Sequence, residues 1–282
     1  MRILLTGAGG FLGTELVHYW KNTGHDIVPT TRKELELTNS DSVESFFRGQ
    51  SFDAVIHTAV KGGSRLRKDS FDDLVDNLCM FQNLIRFKKH YGVMINFGSG
   101  AEFDRSKPIV NAAETTVLRS NPQDYYGMSK NLITKEILAC HENVFNLRLF
   151  GCFGIYEEPQ RLLKNSFRKI KAGMPAEIQQ NRQMSYFFAE DVGRVIDYIL
   201  SNPDKQIKND INLCYDKSWS LSEIVQIIVD QQSGAPTKVN DHEWGDPYTG
   251  AATRLQSMGI GLIGLRKGIE ICLKSWNKSL SL

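Results

Sequence analysis

The 282-residue sequence has almost no excess charge: 34 Lys and Arg stand against 32 Asp and Glu. That balance argues against the dense basic footprint by which proteins hold nucleic acid or anionic lipid, so neither is an expected partner. Cysteine is sparse. Cys79, Cys140, Cys152, Cys214 and Cys272 are scattered, with no C-x-x-C pair. An odd count at wide spacing argues against a disulfide framework and a zinc site, and implies a reducing, cytoplasmic setting. No apolar run reaches the roughly 18–20 residues of a membrane helix. Met1 to Thr6 carries one charge and a short apolar stretch, but glycines interrupt it at once. It reads as a buried strand and not as a signal peptide. Internal repeats and low-complexity linkers are lacking too.

What is present is an alternation. Short apolar runs at Ile3–Thr6, Asp26–Thr30, Ala54–His57, Val93–Phe97 and Val144–Phe150 read as strands with nearly continuous apolar cores. Helical patterns lie between them at Phe11–Lys21, Ser42–Phe47, Phe71–Lys89 and Ser129–His141. Such alternation predicts an α/β fold with a doubly wound parallel sheet, covered on both faces. After residue 150 the rhythm changes. A basic amphipathic helix (Pro159–Ala172), an aromatic strand (Ser185–Phe188), a helix (Asp191–Leu200), a strand (Ile211–Cys214) and a helix (Leu221–Gln231) follow. The expected organisation is a dinucleotide-binding domain over 1–150, with 186–215 returning to it, and a smaller substrate-binding part over 151–282.

The first strand runs into Thr6-Gly7-Ala8-Gly9-Gly10-Phe11-Leu12-Gly13, then a helix. Gly7, Gly10 and Gly13 suit three needs there: a tight turn, close backbone approach to a pyrophosphate, and helix–strand packing. The helix N-terminus offers free N–H groups and partial positive charge to the phosphates. An acidic residue at the end of the second strand would favour NAD. Instead the chain reads Thr30-Thr31-Arg32-Lys33. Arg32, helped by Lys33, suits a 2′-phosphate, so NADP is the expected cofactor, with NAD still possible.

Tyr126 and Lys130 are four residues apart at the start of a predicted helix and share one face. An ammonium beside a phenol favours the phenolate, and a phenol so tuned can exchange a proton. Ser99, in Gly98-Ser99-Gly100 at a strand end, can hydrogen-bond the same substrate oxygen.

Together these residues resemble the extended, nucleotide-sugar-modifying branch of the short-chain dehydrogenase/reductase superfamily. Thr6–Gly13 is similar to its T-G-x-x-G-x-x-G, His57-Thr58-Ala59-Val60 to its H-x-A-A, and Asp76-Asn77 to an asparagine of the next long helix. Ser99, Tyr126 and Lys130 match its catalytic trio, and their long separation suits the extended branch. Leu147–Gly151, Phe188–Val192 and Tyr248-Thr249-Gly250 resemble later family segments. The resemblance implies a Rossmann fold, with Tyr126 as the acid/base, Lys130 on the nicotinamide ribose and Ser99 orienting the reacting oxygen. It also implies cofactor contacts from Gly7, Gly10, Phe11, Leu12, Gly13, Arg32, Lys33, Glu36, Leu37, Thr58, Ala59, Val60 and Asn77.

Departures from neighbouring subfamilies narrow the reaction. Gly100-Ala101 follows Ser99 where dehydratases carry an acidic pair, and Ala101 stands where enzymes that epimerise C3 and C5 use cysteine. No histidine occurs between His141 and His242. What remains is reduction of a nucleoside-diphosphate-linked 4-keto-6-deoxy sugar, or 4-epimerisation with retained NAD, with a non-catalytic dinucleotide sensor as the third reading. Arg161, Arg182 and Arg254 are candidates for the substrate diphosphate, since Gly151 and Met184 replace the residues usual in the family. The resemblance implies a homodimer through the 71–89 helix and the one containing Tyr126. Leu74, Phe81 and Leu84 suit either that contact or the core.

Overall fold

The computed structural model describes residues 1–63, 67–232, 238–239 and 244–280. In the first half the elements are β1 (Arg2–Thr6), α1 (Phe11–Trp20), β2 (Asp26–Thr30), α2 (Ser40–Phe47), β3 (Phe52–His57), α3 (Phe71–Arg86) and β4 (Tyr91–Ser99). Then come β5 (Ile109–Ala112), α4 (Tyr125–Cys140) and β6 (Val144–Leu149). The rest comprises β7 (Gly151–Phe153), α5 (Leu162–Lys171), β8 (Glu177–Ile178), β9 (Gln183–Met184), β10 (Tyr186–Phe188) and α6 (Ala189–Ser201). It closes with β11 (Asp210–Leu213), β12 (Trp219–Ser220), α7 (Leu221–Gln232), β13 (Lys238–Val239), β14 (Tyr248–Gly250), α8 (Thr253–Ser257) and α9 (Leu265–Leu280).

The main sheet has six strands in the order β11-β6-β4-β3-β1-β2. All its pairings are parallel. This is the doubly wound α/β fold. Strand order reverses between β1 and β3, so the ligand crevice opens beyond their carboxyl ends. One cluster, including Ile3, Leu5, Leu16, Ile56 and Val192, fills one face of the sheet. Another, including Leu4, Val55, Phe81, Met94 and Ile133, fills the other. Leu74, Phe81 and Leu84 therefore point into the core, and Phe71 and Val75 are the exposed apolar residues of α3.

The strands are less apolar than their sequence suggests. Thr6 sits opposite His57, His57 opposite Asn96, Asn96 opposite Asn146, and Asn146 opposite Asp210. All are buried. Burial without partners would be costly, and the band supplies each side chain with one, leaving only Asn96 Oδ1 and Asp210 Oδ2 without a hydrogen bond among these residues. Thr6 Oγ1 bonds His57 Nδ1 at 2.9 Å, Asn96 donates to Asn146 at 2.8 Å, and Asn146 donates to Asp210 at 3.1 Å. Two residues further along β6, Arg148 is fully buried. Its guanidinium lies 2.7 Å from Glu102 and 2.9 Å from Asp210, and it donates to Asn212 at 2.9 Å.

Helix starts follow local capping. Ser70 and Asp73 form a reciprocal capping box on α3. Asp124 caps α4 by accepting from the Gly127 N–H at 2.7 Å. That cap begins α4 at Tyr125, four residues before the predicted Ser129, and puts Tyr126 in the first turn.

The second half crosses back into the first. β11 forms the sheet edge beside β6, and β5 pairs with β14 in a small four-stranded sheet, β12-β9-β14-β5. Helices α5, α7 and α9 share their own core around Phe167, Ile224, Ile228 and Trp276. A buried carboxylate ties α1 to this half: Glu15 accepts from the Tyr156 N–H at 2.6 Å. Burial pushes the Glu15 and Glu157 carboxyls up to about 7 each.

Two outcomes follow from these buried charges. Arg148→Met leaves Glu102 and Asp210 without their counter-charge, and urea titration should read a loss of about 3–5 kcal/mol. A loss below about 1 kcal/mol would show the pair to be dispensable. For Glu15, the folded carboxyl keeps its proton between pH 4.5 and 7 while the unfolded one ionises. Stability therefore falls as pH rises through that window, and the loss is complete above it. Glu15→Gln should flatten this decline in urea midpoints; an unaltered slope would mean that Glu15 is ionised throughout.

Candidate active site

At the end of β1 the chain turns with Gly7 at φ +72°, a conformation that favours glycine. A side chain there would meet the backbone of Ala59 at 2.5 Å, and one at Gly13 would meet the Gly7 carbonyl at 2.3 Å. These two glycines let β1, α1 and the segment after β3 close on one another. Gly10 caps α1 without any side-chain hydrogen bond, so the first N–H groups of the helix face the crevice without a side-chain acceptor. Phe11 and Leu12 lie in that first turn. The guanidinium of Arg161 stacks 4.7 Å from the Phe11 ring. Uncapped N–H groups beside a cation fit a dinucleotide pyrophosphate.

Past β3, Thr58 donates to the Thr6 carbonyl at 2.7 Å, fixing Ala59 and the exposed Val60 beside the glycine turn. Asn77 works from behind. Its amide accepts from the Lys61 N–H at 2.8 Å, donates to the Lys61 carbonyl at 3.0 Å, and donates to Ser129 at 3.1 Å. It holds the loop to α4 and is buried. At the end of β2, Arg32 is exposed and pairs with Glu36, while Thr31 pairs with Glu34. Leu37 is buried, and Lys33 is exposed. Next to them Ala8, Gly9, Thr14, His18, Thr31 and Glu34 line an open depression of about 410 Å³.

Ser99, Tyr126 and Lys130 converge at the carboxyl end of β4. Ser99 ends the strand, its N–H donating to Glu102 at 2.7 Å and its Oγ accepting from the Ala101 N–H at 3.2 Å. Lys130 is buried and donates to the Phe97 carbonyl at 2.8 Å. Burial lowers its pKa to about 8. From the sequence, Lys130 is expected to lower the Tyr126 phenol. The structure raises that phenol instead, through burial first, with a hydrogen bond to Ser99 acting the other way and Arg105 helping it. Burial of the phenol accounts for the difference, and the amine is turned to the Phe97 carbonyl. Gly63, at φ +70°, lies flat on the Tyr126 ring: a Cβ there would come within 2.9 Å of it.

The three substrate-half arginines part company. Arg161 is at the glycine turn, also pairing with Glu157 and donating to the Cys152 carbonyl. Arg182 donates to Gln180 at 2.7 Å near Gly245. Arg254 donates to the Asp210 carbonyl at 2.7 Å and lies 3.6 Å from Glu114, at the amino end of β11. The structure does not gather them into one anion site. It brings forward residues that sequence reasoning passed over. Arg105 lies 5.9 Å from the Tyr126 ring centroid and pairs with Asp124 at 2.6 Å. Asp104, at φ +69°, accepts from the Ser106 N–H and hydroxyl and so turns the chain toward it. The Asp-x-Ser spacing was the available signal. Tyr248 also reaches Ser99, from β14.

Residues 3–214 match the model of the NAD dependent epimerase/dehydratase family. The GDP-L-colitose synthase of Yersinia pseudotuberculosis is 22% identical over 251 residues, covering 81% of each chain. The structure of the GDP-mannoheptose C4 reductase of Campylobacter jejuni with NADP bound is similar at a TM-score of 0.80 and 21% identity, covering 98% of both chains. That of the Thermus thermophilus UDP-glucose 4-epimerase complexed with NAD is similar at 0.78 and 17%, covering 98% of this chain and 99% of that one. Among the described residues no helix is long and apolar enough to cross a membrane, and no His, Cys, Asp and Glu cluster is placed to hold a metal. With the glycine turn at the switch point of the sheet and the match spanning the whole of it, the chain belongs to the NAD-dependent epimerase/dehydratase family and is an enzyme of the extended short-chain dehydrogenase/reductase type.

Proposed function

We propose that the protein is an NADP-dependent reductase of a nucleoside-diphosphate-linked 4-keto-6-deoxy sugar. The convergence of Ser99, Tyr126 and Lys130 at the same edge of the parallel sheet as the uncapped start of α1 supports this reading. The names of the colitose synthase and the mannoheptose reductase favour a GDP-linked substrate.

The residues that dehydration and C3/C5 epimerisation need are occupied or absent. Glu102, the nearest acid after Ser99, is fully buried against Arg148 and cannot serve a dehydration. Ala101 is buried and inert. Cys152 is buried, and burial drives its thiol upward, so it stays protonated.

When bound, the reduced nicotinamide supplies the hydride to the keto carbon. Ser99 donates a hydrogen bond to the keto oxygen and orients it. Tyr126 gives its phenolic proton to that oxygen as the C=O π bond opens, leaving a phenolate. Lys130 stays cationic below pH 8 and would hold the nicotinamide ribose. Arg161 and the N–H groups of α1 hold the pyrophosphate, and Arg32 leaves Glu36 for the 2′-phosphate.

Oxidation of NADPH, followed by absorbance against GDP-, dTDP-, CDP- and UDP-linked 4-keto-6-deoxy sugars, should show turnover with the GDP form. Silence across that panel refutes the reductase. Tyr126→Phe should lower kcat by about 10²–10⁴-fold. Its NADPH affinity should stay within about twofold, since no charged contact is lost. Arg32→Ala should weaken NADPH by about tenfold or more, as expected for a lost charge-assisted bond, and leave NADH unchanged. Equal losses for both cofactors would remove the assignment of Arg32 to the 2′-phosphate.

A further inference from the structure

Tyr248 comes from the far half of the chain, on β14, yet its hydroxyl lies beside Ser99. A Cβ built on Gly100 would be 2.7 Å from the Tyr248 hydroxyl and 2.5 Å from Phe150. The Tyr248 ring packs edge-on to Phe150 with centroids 5.3 Å apart. Its backbone is fixed as well: the Tyr248 carbonyl accepts from the Ser185 N–H at 3.1 Å. Position 100 thus admits only glycine, and the space a side chain would take belongs to the second phenol. Ser99 interacts with both phenols, and the charge of Tyr126 adds to the upward push on Tyr248.

The hydroxyl of Ser99 has one proton and two lone pairs. One lone pair already takes the Ala101 N–H. We propose that Tyr248 is a positioning residue of this site, donating its hydroxyl proton to the second lone pair of Ser99 and so forcing the Ser99 proton toward the Tyr126 oxygen. Resting on the reductase reading above, the same arrangement presents that proton to a keto oxygen lodged between Ser99 and Tyr126. No bond to carbon changes in this step; it fixes which way one hydroxyl points. Burial keeps the Tyr248 phenol protonated far above neutral pH, so it remains a donor throughout the working range. A phenolate on Tyr126 then receives a hydrogen bond that Ser99 cannot direct elsewhere.

The test is a double-mutant cycle read on the titration of Tyr126 itself, taken as the alkaline ultraviolet difference between each protein and its Tyr126→Phe counterpart. Tyr248→Phe keeps the ring against Phe150 and removes only the oxygen. It should move the Tyr126 titration up by about half to one pH unit, as expected for the loss of one neutral hydrogen bond. In a Ser99→Ala background the same substitution should shift nothing. With a GDP-linked 4-keto-6-deoxy sugar, Tyr248→Phe should lower kcat about tenfold with KM near its original value, and the pH profile of kcat should move with the titration. No shift, or an equal shift with Ala at position 99, overturns the proposal. Absence of turnover by the wild-type enzyme refutes the reductase reading alone, because the titration cycle needs no substrate.

Discussion

A guanidinium buried in the main sheet holds the site together. Arg148 has no exposed surface and sits between Glu102 and Asp210, with Phe103 stacked 4.8 Å beneath it. An isolated charge at that depth would be prohibitive; three polar neighbours, two of them carboxylates, make it tolerable. The geometry it imposes matters as much as the energy. Glu102 spends one oxygen on Arg148 and the other on the Ser99 N–H, and accepts from Thr134 of α4 at 2.9 Å. The end of β4, the helix bearing Tyr126 and Lys130, and the outer strand β11 are thereby referred to one cation. Burial raises the Glu102 carboxyl while Arg148 draws it back, so its charge state is tied to its partner.

The two halves meet at the same point through close approach. Phe150 packs against Gly100, Gly250 and Tyr248, and neither glycine tolerates a side chain. Phe103 stacks on Phe150 from the other side at 5.9 Å. The small sheet containing β5 and β14 is therefore continuous with the wall of the site. A segment that precedes residue 150, β5, pairs with one that lies well after it, β14, so the halves interlock.

Much of this was legible in the chain. The glycine spacing, the strand–helix alternation and the Tyr126/Lys130 spacing are local patterns, and local patterns survive folding. Ser99 could be placed because a hydroxyl at a strand end is itself a local arrangement. The polar band of His57, Asn96, Asn146 and Asp210 was hidden, because each strand contributes one or two such residues to an otherwise apolar run. Only register lines them up. Arg148 read as a family-like arginine at a strand, with nothing to announce that it pairs with residues 46 and 62 positions away. Arg254, an arginine near a late helix, looked as available as Arg161 until its contacts with Asp210 and Glu114 were seen. Tyr248 read as part of a family-like segment, but its approach to the end of β4 stayed hidden: a contact over so long a stretch of chain leaves no periodicity.

The order of strands also bears on how the polypeptide assembles as it is made. Four strands of the main sheet are complete once residue 99 has emerged, yet β11 at 210–213 supplies Asp210 and Asn212 to the guanidinium on β6. Until that late strand docks, a nascent chain carries a half-compensated charge and an open sheet edge beside β6, the kind of exposed pairing surface that invites misassembly. Completion of the first-formed layer thus waits on translation of a segment more than sixty residues downstream, which couples the two halves during synthesis as firmly as packing couples them afterwards.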